Sequence, residues 1–187
     1  MRLPAIFGFI LAIMAAPTLG SAEIMFTPFA GTTFGGNGGE FGDESHLVYG
    51  GSVSFLGDSP FGLEFEGQVA PDYFGEAGTN NVASLMGSVL FGGHDDSGRL
   101  RFYANAGAGL LRTHIRDSTQ FFNTARDSLG ITLGGTVIYG LSDNLGLKGD
   151  VRYFRGLRDD EPGSDLDLDL TGFNFWRASL GLGVRVF

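Results

Sequence analysis

The sequence predicts an all-β protein: eight antiparallel strands closed up-and-down into a transmembrane β-barrel, preceded by a cleavable signal peptide. Three observations carry this. Apolar residues recur at every second position over eight blocks, the period of a strand with two unlike faces. The connections between blocks alternate short and long. Aromatic residues collect at both ends of the blocks, where a spanning barrel carries its girdles.

Residues 1–22 come first. Arg2 precedes an apolar run from Ala5 to Ala16, followed by Pro17 and the small residues Gly20, Ser21 and Ala22. That is the layout of a secretory signal with cleavage after Ala22. The run is about a dozen residues, short of the roughly twenty a spanning helix needs. The remaining 23–187 read as one barrel domain, since no composition shift suggests a second. All 21 acidic residues lie beyond the cleavage point, so losing Arg2 takes the net charge from −9 to −10. Such a chain is a poor candidate for nucleic acid. With no cysteine it has neither disulfides nor a thiolate nucleophile nor a cysteine for lipid attachment.

The strands follow in order. Phe26, Pro28, Ala30, Thr32 and Phe34 share one face of the first, and Leu47, Tyr49, Gly51, Val53 and Phe55 of the second. After a tight turn at 57–60, the third gives Phe61, Leu63, Phe65, Gly67 and Val69, and the fourth Ala83, Leu85, Gly87, Val89 and Phe91. A turn at 94–98 leads to Leu100, Phe102, Ala104, Ala106, Ala108 and Leu110 in the fifth, and the sixth gives Leu129, Ile131, Leu133, Gly135, Val137 and Tyr139. The seventh, after Ser142-Asp143-Asn144, gives Leu145, Leu147, Gly149, Val151 and Tyr153; the eighth gives Trp176, Ala178, Leu180, Leu182, Val184 and Val186. Each block is about nine to thirteen residues, enough to cross a bilayer when tilted.

The other face holds Glu64, Glu66, Gln68, Arg101, Asn105, Thr132, Thr136, Lys148, Asp150, Arg152, Arg177 and Arg185. Alternation alone would also suit a soluble sandwich with a polar outer face. The tight turns on one side, the long loops on the other and the two aromatic belts decide for an interior that is polar and an exterior that is apolar. The 32 glycines suit a narrow barrel, which must bend and has little room inside. Pro28 requires a bulge or a lost ladder bond, because every strand of a closed barrel is paired on both sides.

The pattern resembles the small outer-membrane β-barrel proteins, the superfamily that includes the OmpA-like transmembrane domain. The likeness rests on the signal peptide, Phe29-Ala30-Gly31, Phe34-Gly35-Gly36 and the terminal run from Ala178 to Phe187. It implies the Gram-negative outer membrane, contact with its lipid and lipopolysaccharide, handling by the outer-membrane assembly machinery, and a monomer. Leu182, Val184, Val186 and Phe187 resemble the C-terminal assembly signal, although Phe187 falls in register with Arg185 instead of with the hydrophobic residues.

The candidate site is the interior charge network: Glu64, Glu66, Arg101, Lys148, Asp150, Arg152, Arg177 and Arg185. Five cations against three anions leave +2, and charges so confined must pair or keep water. Either they plug the barrel, whose interior is just wide enough for side chains, or they form a gate. The loop 158–171 is acidic but lacks calcium-site spacing: counted from Asp165, the positions for Gly and Glu hold Leu170 and Trp176. No metal or cofactor is expected. Barrels of this size include lipid A deacylases and palmitoyltransferases, but His46, His94 and His114 lack a serine and acid at fixed spacing, and His114 is read as a loop residue; no catalytic residue is assigned. The leading expectation is an envelope-integrity or surface-interaction protein, with a narrow solute or ion pore second and a soluble lipocalin-like ligand-binding barrel third.

Overall fold

The computed structural model describes residues 23–35, 45–57, 59–71, 79–116, 123–157 and 174–186. Eight strands run in chain order: β1 (Glu23–Phe34), β2 (Leu47–Leu56), β3 (Phe61–Pro71), β4 (Thr79–His94), β5 (Leu100–Arg116), β6 (Asn123–Gly140), β7 (Leu145–Gly156) and β8 (Asn174–Val186). Each pairs antiparallel with its sequence neighbour, and β8 returns to β1 to close the barrel. Closure removes every sheet edge that lipid could otherwise meet.

The register fixes the shape. From Phe102 on β5, the cross-strand pairs lead through Val137, Gly149, Leu180, Ala30, Tyr49, Val69 and Ala83 back to β5 at Arg112. One circuit therefore climbs 112 − 102 = 10 residues, the shear of the barrel. Eight strands at that shear tilt by about 40° and leave a lumen that side chains fill.

The faces fall as the alternation requires, with Leu85 61 % and Leu180 64 % exposed outside while Arg152 and Arg177 are fully buried inside. The turn end carries outward Phe26, Phe61, Phe91, Phe102 and Tyr139, and the loop end Phe34, Tyr49 and Trp176.

Two expectations need correction. The strands β4, β5 and β6 run to 16, 17 and 18 residues, longer than the sequence reading, and shorten the loops after β3 and β5. Arg112 to Arg116 continue to pair with Asp127 to Asn123, so His114 is a strand residue opposite Ala125 and not a loop residue. In these end segments the sequence has no apolar period of two, although the backbone ladder continues. Of the two outcomes open to Pro28, a bulge or a lost ladder bond, the structure has the second. Pro28 stands opposite Gly51 of β2, while the ladder with β8 skips Thr27 and Pro28 and resumes in unchanged register. The missing N–H is absorbed as a lost bond at the closing seam.

Inward glycines answer the narrow lumen. A Cβ on Gly134 would lie 2.2 Å from the Val151 carbonyl oxygen and 2.9 Å from Cγ of Arg152. On outward Gly51 it would approach nothing closer than the Thr27 carbonyl oxygen at 3.8 Å. Gly134→Val should therefore lower stability by about 1–3 kcal/mol through overpacking, and Gly51→Val by under about 0.5 kcal/mol. Urea unfolding in detergent, followed by fluorescence of Trp176, measures both.

Candidate functional site: the charged interior

The period of two places Glu64, Glu66 and Gln68 on one face of β3, and Lys148, Asp150 and Arg152 on one face of β7, across the lumen. Arg177 enters from β8. Six of the eight sequence-predicted residues thus meet in one cluster of three anions and three cations with no net charge: Glu64, Glu66, Asp150, Lys148, Arg152 and Arg177.

Glu64 is the shared acceptor. One carboxylate oxygen takes bonds from Lys148 Nζ and, at 2.7 Å, from the Ser54 hydroxyl; the other takes Nη2 of Arg152. Lys148 also donates to the Ser52 hydroxyl at 3.0 Å. Arg152 Nε donates to Asp150 Oδ2 at 2.8 Å, and its Nη1 lies 3.6 Å from Glu66. Arg177 Nη2 donates to Glu66 Oε2 at 2.9 Å and to Asp150 Oδ1 at 2.6 Å, while Nη1 serves Glu66 and Gln68. Thr136 donates to Asp150 at 2.8 Å and accepts from the Asn105 amide at 3.0 Å. The Arg177 guanidinium also lies 4.8 Å from the ring centre of Phe29 and 5.2 Å from that of Phe154.

Arg101 and Arg185 do not join this cluster. They sit at the turn end, where both pair with Glu23 at 2.9 Å. Glu23 escaped the sequence reading because the first alternating block began one residue later, although its position is in phase with inward Met25 and Thr27. With Glu23 the inward balance is five cations against four anions, +1 instead of +2.

Apolar layers close the lumen on both sides of the central cluster. Toward the turns lie Met25, Leu56, Leu90, Tyr103 and Ile138. Toward the loops lie Met86, Leu111, Phe154 and Phe175, with a smaller group of Val48, Ala70 and Val82. Phe154 and Phe175 stack with ring centres 4.8 Å apart. Along β7 the inward order is Lys148, Asp150, Arg152, Phe154; along β5 it runs from Arg101 through Tyr103 and Asn105 to Leu111.

Leu182, Val184 and Val186 face outward on β8, while Phe187 lies outside the described residues, as does the acidic segment 158–171. Among the described residues no group of three or more His, Asp or Glu side chains could hold a metal ion.

No protein-family model matches the chain, and no curated protein matches it. Solved structures match its fold. Neisserial surface protein A is 16 % identical with a TM-score of 0.63, covering 88 % of this chain and 96 % of that one. The outer membrane protein OprG of Pseudomonas aeruginosa is 11 % identical with a TM-score of 0.61, covering 89 % and 96 %. Ail, the attachment invasion locus protein of Yersinia pestis, solved with the heparin analogue sucrose octasulfate, is 15 % identical with a TM-score of 0.60, covering 89 % and 99 %. The chain therefore has the fold of the small eight-stranded outer-membrane barrels.

Removing one member of a buried, neutral cluster leaves its partners uncompensated. Glu64→Gln should cost about 3–5 kcal/mol. Adding Lys148→Met restores neutrality and should recover part of that loss. The urea midpoints of the two variants, compared with the unsubstituted barrel, check the order.

Proposed function

We infer that the chain is an integral outer-membrane protein of a Gram-negative cell, exported by residues 1–22 and maturing as 23–187, with a structural or surface-interaction role. The observation that carries this is inverted polarity. Six charged side chains are buried inside a closed barrel whose outer surface is Leu, Val, Phe and Tyr, an arrangement stable with hydrocarbon outside and costly in water. On β7 the outward apolar face runs from Leu145 to Tyr153 before Arg155. Eight residue steps at the barrel's tilt rise roughly 20 Å, close to the apolar band of about 25 Å in such proteins.

Leu182, Val184, Val186 and Phe187 serve as the signal read by the assembly machinery, and lipid and lipopolysaccharide are the surroundings. The barrel acts as a monomeric scaffold that holds its long connections on the outer side. Surface contact as the work of those connections is supported by the likeness of fold to Neisserial surface protein A and to Ail. Catalysis is not proposed: His94 ends β4 at the turn side, its ring nitrogen bonded to the neighbouring Asp95 carbonyl.

The pore reading is the weaker one. A conducting path would have to cross the charged layer and both apolar layers, and the bonds at Glu64, Glu66 and Asp150 would all have to rearrange. A lipocalin-like ligand cavity is disfavoured by the buried charges.

Fractionated cells should yield the protein in the outer membrane, and unboiled samples should migrate differently from boiled ones, because a closed barrel resists detergent until heated. In planar bilayers the same preparation should give no steady conductance. Conductance that changes with Glu66→Ala or Arg152→Ala would replace the scaffold reading with the pore. Recovery as a soluble periplasmic protein with no heat shift would overturn the membrane reading.

A further inference from the structure

The lipid-facing surface is not uniform. Across β6, β7, β8 and β1 a groove of about 450 Å³ opens, lined by Gly135, Gly149, Val151, Ala178, Ala30 and Thr32 among others. Register makes it: Gly135 lies opposite Val151, Gly149 opposite Leu180, and Ala178 between Val151 and Thr32. Gly135, Gly149, Ala178 and Ala30 run diagonally across it between Val137, Val151 and Leu180, whose Cδ2 lies 3.6 Å from the Cβ position of Gly149.

At its loop end the groove meets an aromatic pair. Tyr153 and Trp176 stand opposite each other with ring centres 5.2 Å apart. One outward pair further, Arg155 stands opposite Asn174. Arg155 is exposed, and among the described residues its guanidinium has no carboxylate partner. Four residue steps lead from Val151 in the groove to Arg155 on the same face of β7, about 13 Å along the strand. The same rim on β1, β2 and β3 presents Phe34, Leu47 and Val69, with no charge.

We propose that this face binds one phosphorylated glycolipid of the outer leaflet. An acyl chain lies along the glycine and alanine floor, Tyr153 and Trp176 pack at the boundary between chain and sugar, and Arg155 engages a headgroup phosphate. A smooth floor gives a methylene chain more close contacts than a ridged one. Aromatic side chains favour the interface because one end is apolar and the other wet. The guanidinium fork matches two phosphate oxygens, and it lies where the apolar belt ends. Its position on the side of the long connections selects the outer leaflet. The proposal rests on the outer-membrane reading.

The test titrates the mature barrel in detergent micelles with bisphosphorylated lipid A, with its dephosphorylated form and with phosphatidylglycerol, and counts bound lipid by native mass spectrometry. Heat-dependent gel migration of each sample is read in parallel. Lipid A should bind about tenfold more tightly than its dephosphorylated form, the worth of a charge-assisted bond. Arg155→Gln should abolish that preference. Gly149→Leu should weaken both lipids alike while keeping the heat shift, since the Cβ position there meets nothing closer than Leu180 Cδ2 at 3.6 Å. A heat-shifting barrel that binds the two lipid A forms equally, or keeps its preference after Arg155→Gln, overturns the site and leaves the membrane reading standing. Equal binding of phosphatidylglycerol overturns the choice of a glycolipid. An unsubstituted chain without a heat shift overturns both the site and the membrane reading.

Discussion

Closure of eight strands at a shear of ten is the constraint on which the rest depends. It pairs every strand with a neighbour on both sides, with a break in the β1–β8 ladder at Thr27 and Pro28, and it sets a lumen that side chains must fill. The lumen lined by one face of each strand is mixed, with apolar layers of Met25, Leu56, Leu90, Tyr103 and Ile138 and of Met86, Leu111, Phe154 and Phe175 on either side of a charged centre. Charge is tolerated there because the central cluster has equal numbers of each sign and each carboxylate meets more than one cation.

The same geometry explains the glycines and the arginines together. Arg152 can lie across the lumen because Gly134 beside it has no Cβ. At the closing seam a Cβ on Gly181 would stand 2.6 Å from the Pro28 carbonyl oxygen, so the lumen side of β8 is as crowded there as at Gly134. The local defect is held by the intact pairs on either side of it, Phe26–Val184 and Phe29–Gly181.

Strand identity and facing were legible wherever one face met lipid and the other the lumen, because burial then imposes a period of two. Above the rim that contrast is lost. The ends of β4, β5 and β6 were invisible in the pattern although Thr79 to Asn81, Arg112 to Arg116 and Asn123 to Asp127 remain paired. Inward charges were legible by phase, but which of them meet was not. Lys148 reaching Glu64 joins residues 84 apart in sequence, and only barrel closure brings β7 opposite β3. Glu23 was in phase with Met25 and escaped because it sits at the boundary of the expected signal peptide. The apolar layers were hidden for a related reason: Phe154 and Phe175 lie on the polar phase of β7 and β8, where an isolated aromatic reads as an exception.

Those layers separate the two ends of the molecule physically. Stacked Phe154 and Phe175, with Met86 and Leu111, lie between the charge cluster and the extended ends of β5 and β6. The lipid-facing groove is separated from the cluster in another way, by the strand itself: Asp150 points inward to Arg152 and Arg177, while Gly149 and Val151 on either side of it point outward. One stretch of β7 thus supplies both the charge that fixes the interior and the small residue that shapes the exterior. Alternation keeps these duties independent, so substitutions at 149 or 155 act on the surface while substitutions at 150 or 152 act on the core.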